Sequence, residues 1–243
     1  MTGAILELRS VGKTFGGLRA LHDVSLAVRT GEVVGIMGAN GAGKTTLFTL
    51  IGGHAAPSAG DIVLDGHSIV GLSPDQICGR GIARTFQIVR PFHGLTVRDN
   101  VVIASRFGAK SCDAATANRV ADDLLESVGL ADRSDDLAAA LTLSAQKRLE
   151  VARAVATAAR IVLLDEVMAG LTPAEVADML VILGRLRERH GLTVLMIEHV
   201  MRALMQISER ILVLHHGECI TVGPPAVVAA DERVRACYLG NRA

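Results

Sequence analysis

Aromatic side chains are scarce in this chain: five Phe, one Tyr and no Trp among 243 residues. A protein so poor in rings lacks the row of stacking platforms on which bases of single-stranded nucleic acid lie. Excess charge of one sign is missing too, because Lys+Arg 25 balances Asp+Glu 25. No bulk field draws the chain to a polyanion or an anionic membrane surface, so nucleic acid is not an expected partner. Cys78, Cys112, Cys219 and Cys237 are widely spaced and form no C-x-x-C pair. That pattern fits reduced thiols in a cytosolic compartment better than a disulfide framework or a zinc site. No apolar run approaches the ~18 residues that span a bilayer, and "MTGAILELRS" lacks a basic stretch followed by a long apolar core. A place at a membrane therefore has to come through another chain.

What is present is a large apolar fraction, 50% of residues, enough for a sizeable core. Short β-rich runs fill the start ("ILELRSV", "VSLAV", "VVGIMG", "DIVLDGHSIV"), the last broken by Asp65-Gly66, a hairpin turn signal. From about Ser73 to Ala140 the pattern turns helical; Val120, Leu124, Leu125 and Val128 fall at helical spacing before Gly129. Later runs, "RIVLLDE", "LTVLMIEHV" and "RILVLHHG", are continuously apolar, as parallel strands covered on both faces are. Thr172-Pro173-Ala174-Glu175 predicts a capping box opening a helix whose core stripe is Val176, Leu180, Leu183 and Leu186. The expected fold class is α/β, with a mixed and parallel sheet, flanking helices and an N-terminal antiparallel β region.

"GIMGANGAGKTT" follows the apolar strand "EVVGIM" and precedes "LFTLIGG". Gly38, Gly43, Lys44 and Thr45 thus satisfy G-x-x-x-x-G-K-[ST] in its strand–loop–helix setting. Backbone N–H groups of such a loop and the following helix start form a concave anion site; Lys44 adds a positive charge for β/γ-phosphates and Thr45 a hydroxyl for Mg²⁺. The second half of a phosphate-transfer site is a buried strand ending in an acid. "IVLLDE" supplies Asp165 to hold Mg²⁺ and Glu166 to polarise an attacking water.

With these motifs in place the chain resembles the ATP-binding subunits of ABC transporters over nearly its whole length. The resemblance implies a single ATP-binding domain over 1–243, with a RecA-like core at 1–87 and 141–243 that includes the N-terminal β subdomain. It implies a helical subdomain at about 88–140. Phe15 in "VGKTFGGLRAL" matches the aromatic that stacks on adenine; Gln87 in "ARTFQIVRPF" matches the glutamine that meets the metal and senses the γ-phosphate; His199 in "VLMIEHVM" matches the switch histidine. Asn40, Gly41 and Thr46 join the loop's nucleotide contacts by the same resemblance. His215 and His216 match no functional position and are read as structural.

The family's LSGGQ signature is here Leu141-Thr142-Leu143-Ser144-Ala145, aligned on Arg148-Leu149-Glu150. Helix N–H groups do not require glycine, so Thr142 and Ser144 are expected to meet the γ-phosphate of ATP bound to the opposite subunit. Leu143 removes the close approach that glycine allows. Val167 stands where the family has Pro, and Thr172 stands at the position of an Asp.

"LDEVMAGLTP", "EHVMRALM" and "ACYLG" resemble the branched-chain amino-acid importers, whose relatives also handle urea and short amides. That likeness implies a Mg²⁺-dependent ATPase at the cytoplasmic face of the inner membrane. Its implied partners are two transmembrane permease subunits, a second ATP-binding subunit alike or unlike, and indirectly a periplasmic solute-binding protein. The segment from Gln87 to Asn100 is the expected permease contact, with Phe92 and Leu95 either packing against a permease helix or forming a satellite core under the loop of Gln87. The competing class is a non-transport ABC-type ATPase switch, which generally carries two cassettes or a coiled-coil insertion. A P-loop GTPase would carry N-K-x-D, which this sequence lacks.

Overall fold

A computed structural model describes residues 3–85 and 91–239. The chain divides into two compact units, Met1–Pro74 with Leu195–Ala243, and Asp75–Val194. The first unit opens with β1 (Ala4–Phe15), β2 (Leu18–Arg29), β3 (Val33–Met37), α1 (Lys44–Ile51), β4 (Ala59–Leu64) and β5 (His67–Ser68). Strands β2-β1-β4-β5 form an antiparallel sheet in that order. On β2 the buried residues Val24, Leu26 and Val28 alternate with exposed ones, the period-two pattern of a strand with one face in the core. Asp65 and Gly66 both take positive φ, 48° and 78°, which is the two-residue turn expected between β4 and β5.

The second unit contains α2 (Pro74–Gly79), β6 (Ile82–Arg84), α3 (Val97–Arg106), α4 (Ala114–Ser127), α5 (Leu143–Ala156), β7 (Ile161–Asp165) and α6 (Pro173–His190). Two 3₁₀ turns, Ala131–Arg133 and Ala138–Ala140, precede α5. Strand β8 (Thr193–Ile197) runs across the division. Strands β6 and β7 pair in parallel, with Arg84 opposite Leu163, and every residue of β7 is buried. Helices α3 and α4 start at side-chain caps: Thr96 accepts from Asp99 N (3.0 Å) and Asp113 from Thr116 N (2.7 Å).

The chain then completes the first unit with α7 (Met201–Ile207), β9 (Arg210–His215), β10 (Glu218–Gly223), α8 (Pro225–Ala230) and α9 (Glu232–Leu239). Strand β9 lies parallel to β3 and antiparallel to β10. Arg210 fixes the β3–β9 register: it donates to buried Glu32 at 2.5 and 3.2 Å, and a forked pair of this kind specifies orientation as well as charge. His216, one of the two histidines read as structural, takes φ 48° beside Gly217 at 81° in the β9–β10 turn.

Two expected helix faces are corrected. On α4 the buried residues are Ala117, Ala121, Leu124 and Leu125, while Val120 is only half-buried. On α6 they are Met179, Ile182, Leu183 and Leu186, with Val176 and Leu180 half-buried. At 3.6 residues per turn two overlapping stripes share Leu183 and Leu186, and packing selects the one carrying Met179 and Ile182.

The capping box at α6 is formed as expected. Thr172 Oγ1 accepts from Glu175 N at 3.4 Å, and Thr172 N donates to the Glu175 carboxylate at 2.8 Å. Those bonds from Thr172, with help from the Ser144 hydroxyl and Arg148, hold the Glu175 pKa below its usual 4.5. A depressed carboxylate pKa contributes stability above the unfolded-state value and loses it as pH falls through the folded-state value. Thr172→Ala removes the N-cap hydrogen bond and should lower the unfolding free energy by about 1 kcal/mol at pH 7. The gap between variant and wild type should narrow on acidification below 4.5, read by urea titration across pH.

Candidate nucleotide site

The first unit carries the phosphate loop. Strand β3 is buried at every residue, and the chain leaves it at Gly38 to re-enter helix at Lys44. A Cβ on Gly38 would lie 2.6 Å from the Leu214 carbonyl oxygen, at the end of β9, and 2.8 Å from the Ala42 Cβ. A Cβ on Gly43 would lie 2.6 Å from Leu21 Cδ2 and 2.8 Å from the Ala20 oxygen, and Gly43 takes φ 101°. The loop is thus threaded against β2 and β9 where no side chain fits. Gly43 caps α1 without a side-chain hydrogen bond, and α1 has no acidic residue in its first turn. The first helical N–H groups and the positive end of the dipole are therefore left to an external anion.

Lys44 is buried, and its ammonium donates to the loop carbonyls of Gly38 (2.6 Å) and Ala39 (3.0 Å). Its charge is held over the loop's own concavity. Asn40, Gly41 and Thr45 are exposed and Thr46 is half-buried, so the loop's ligand-bearing side chains are accessible. Phe15 ends β1 on the surface, half exposed, with Lys13 Nζ 4.9 Å from its ring centroid; it is not a core residue. His199 is exposed between β8 and α7.

The second unit carries the acids. Asp165 closes β7 and is 1% exposed on its side chain; Arg84 Nη2 donates to its Oδ2 at 2.8 Å. Thr85 Oγ1 accepts from Asp165 N at 2.9 Å. The other carboxylate oxygen, Oδ1, is buried and has no hydrogen-bond partner among the described residues. A hard divalent cation takes oxygen donors, and Mg²⁺ is commonly held by one or two carboxylates with substrate phosphates. An unpartnered buried carboxylate oxygen fits that role, and the exposed Thr45 hydroxyl is a donor of the same kind.

Glu166, next in the chain, adopts φ 53°, a left-handed conformation that costs a non-glycine residue roughly 1–2 kcal/mol. Its carbonyl accepts from Ala169 N (3.2 Å) and from buried Lys147 Nζ (2.8 Å). Those two bonds hold the strained residue, and such strain concentrates at functional sites. Lys147, on α5, ties the signature helix to the acid pair.

Helix α5 begins at Thr142, whose hydroxyl accepts from Ala145 N at 3.4 Å. Thr142 is exposed. Ser144 is buried and its hydroxyl bonds Glu175, so only its main-chain N–H is offered at the helix start. Leu143 is 48% exposed beside Gly170, where a Cβ would meet its Cδ2 at 3.1 Å. Gln87 lies outside the described residues. Sequence reasoning did not single out Arg84, Thr85 or Lys147: a lone charge on a strand or helix reads as a solvated face, and only the fold buries it.

An anion cradle with a buried lysine, and a buried strand ending in two carboxylates, define a P-loop nucleotide-binding protein. The family described as "ABC transporter" matches residues 21–169. The chain is 37% identical to the high-affinity branched-chain amino acid transport ATP-binding protein BraF of Pseudomonas aeruginosa, over 99% of this chain and 100% of that one. It is 35% identical to the lipopolysaccharide export system ATP-binding protein LptB of Haemophilus influenzae, over 98% of each. It superposes on the ADP conformation of the ATP-binding cassette MJ1267 with TM-score 0.88 and 28% identity, covering 98% of this chain and 99% of that one. The chain belongs to the ABC transporter family. It is an ATP-binding, ATP-hydrolysing subunit, with Mg²⁺ as the ion that accompanies its nucleotide.

The two left-handed loop glycines separate close approach from backbone freedom. At Gly43, Ala adds both a clash and strain and should cost about 2–4 kcal/mol of folding stability. At Gly41, φ 79° with nothing within 4 Å of a Cβ, Ala should cost only about 1–2 kcal/mol. Denaturant unfolding of the two variants measures the difference.

Proposed function

We propose that this chain powers an importer for branched-chain or closely related amino acids, working at the cytoplasmic face of the inner membrane. It does so with two permease subunits and a second ATP-binding subunit, and a periplasmic solute-binding protein delivers the cargo. The observation that carries this reading is the 37% identity to BraF running the length of both chains, joined to the "AGLTP" and "EHVM" variants. The weaker match to LptB makes cargo a matter for experiment.

In the proposed cycle Phe15 stacks on adenine, and Gly38, Asn40, Gly41, Gly43, Lys44, Thr45 and Thr46 hold the phosphates. Asp165, Thr45 and Gln87 hold Mg²⁺, which when bound neutralises phosphate charge and orients the terminal phosphate. Glu166 accepts a proton from the attacking water, His199 steadies the γ-phosphate, and Gln87 relays its presence. Thr142 and the N–H of Ser144 close on ATP held by the second ATP-binding subunit. Leu143 makes that closure looser than glycine would, which suits a pair of unlike subunits. ATP shifts the transporter's equilibrium because it binds the closed pair more tightly than the open one.

The helical segment 88–140 is the proposed seat of the permease. Phe92 is 48% exposed while its backbone is clamped by buried Asn100, through bonds of 2.8 and 3.1 Å. Leu95 is half-buried beside it. A firmly held, exposed ring is the kind of anchor that interfaces use.

Two measurements test the reading. Glu166→Gln should lower ATP turnover by about 10²–10⁴-fold while ATP still binds; an unchanged rate removes Glu166 from catalysis. In proteoliposomes holding the full transporter, leucine-loaded binding protein should stimulate hydrolysis and leucine should accumulate. Stimulation by urea, a short amide or lipopolysaccharide, with none by branched-chain amino acids, overturns the cargo assignment.

A further inference from the structure

We propose that Arg84 is a positioning residue for metal binding: it pins one oxygen of Asp165 so that the other is the oxygen presented to the nucleotide's divalent cation. This rests on the reading that Asp165 holds that cation. A carboxylate at a strand end can turn about its last torsion and offer either oxygen. Here the turn is blocked. Arg84 Nη2 holds Oδ2 at 2.8 Å, with the Arg84 side chain 10% exposed and that of Asp165 1% exposed. The main chain of Asp165 is fixed as well, since its N–H donates to Thr85 Oγ1 at 2.9 Å while Thr85 N donates to the Leu163 carbonyl at 2.9 Å. Strands β6 and β7 are in parallel register at Arg84 and Leu163, so the last residue of β6 and the residue after it grip the end of β7.

What remains is Oδ1, buried and without a partner among the described residues. Arg84 thus acts for a cation that it does not touch, by selecting the presenting oxygen. Residues that orient a metal ligand in this way commonly change metal affinity by 10–100-fold when removed.

The test uses the full chain with a fluorescent ATP analogue. Binding is titrated in EDTA and then against Mg²⁺, and the environment of the bound ion is read by Mn²⁺ electron paramagnetic resonance. For Arg84→Ala the half-saturating Mg²⁺ concentration should rise about 10-fold, with metal-free nucleotide affinity changed less than about 2-fold and an altered Mn²⁺ spectrum. Arg84→Lys restores a donor and a charge to a contact made through a single nitrogen, so it should recover most of the metal affinity, to within about 3-fold of wild type. It also serves if the alanine variant fails to fold. A purely structural Arg84 would lower the unfolding temperature and leave the Mg²⁺ half-saturation and Mn²⁺ spectrum where they were, and that result overturns the proposal. Asp165→Asn separates the two readings. If it shifts the metal titration and the Arg84 variants do not, the pin alone is wrong; if it shifts nothing, the assignment of Asp165 to the cation is wrong.

Discussion

A triphosphate carries several negative charges that must be met at close range by N–H groups, and side chains in the way would prevent it. Everything else about the first unit follows from that need. The loop after β3 passes so near Leu214, Ala20 and Leu21 that Gly38 and Gly43 have no room for a Cβ. Because the loop is pressed against β2 and β9, its backbone is held in place before any nucleotide arrives. Preorganised donors avoid the cost of reordering at the moment of binding. Lys44 contributes in the same manner: its ammonium already rests on the Gly38 and Ala39 carbonyls, so its charge stays near the loop rather than sweeping through solvent.

The second unit solves the complementary difficulty of orienting carboxylates in a buried strand end. Asp165 has its counter-charge in Arg84 and its main chain fixed by Thr85. Glu166 is held in a left-handed conformation by Lys147 and Ala169. The first arrangement leaves Oδ1 as the carboxylate oxygen without a partner among the described residues; the second takes Glu166 out of the ordinary strand conformation. Lys147 belongs to the helix that starts at Thr142, so the acid pair and the signature helix share a buried tether.

The degenerate signature acquires a physical meaning from its surroundings. Thr142 caps α5 as Ser would, which keeps the helix start intact. Ser144 is turned inward to Glu175, part of the capping box of α6. Leu143 projects next to exposed Thr142, itself half exposed, where glycine would leave space. The sequence change therefore places an apolar side chain at this helix end without disturbing the helix that carries it.

The α/β class, the phosphate loop, the acid pair, the capping box and the Asp65-Gly66 turn were all legible in the sequence. Each rests on short-range chemistry: strand periodicity, glycine spacing beside Lys-Thr, a cap three residues from its glutamate. The core faces of α4 and α6 were read only in part, since two stripes of similar apolarity overlap on each helix and contact with neighbouring elements chooses between them. Arg84 and Lys147 were not legible at all. Nothing local distinguishes a buried, paired cation from a solvated one; that difference is made by strands and helices far apart in the chain coming together. The sequence by itself thus determined which chemical groups are available to a nucleotide, and the tertiary structure alone decided which oxygen, which charge and which backbone conformation those groups present.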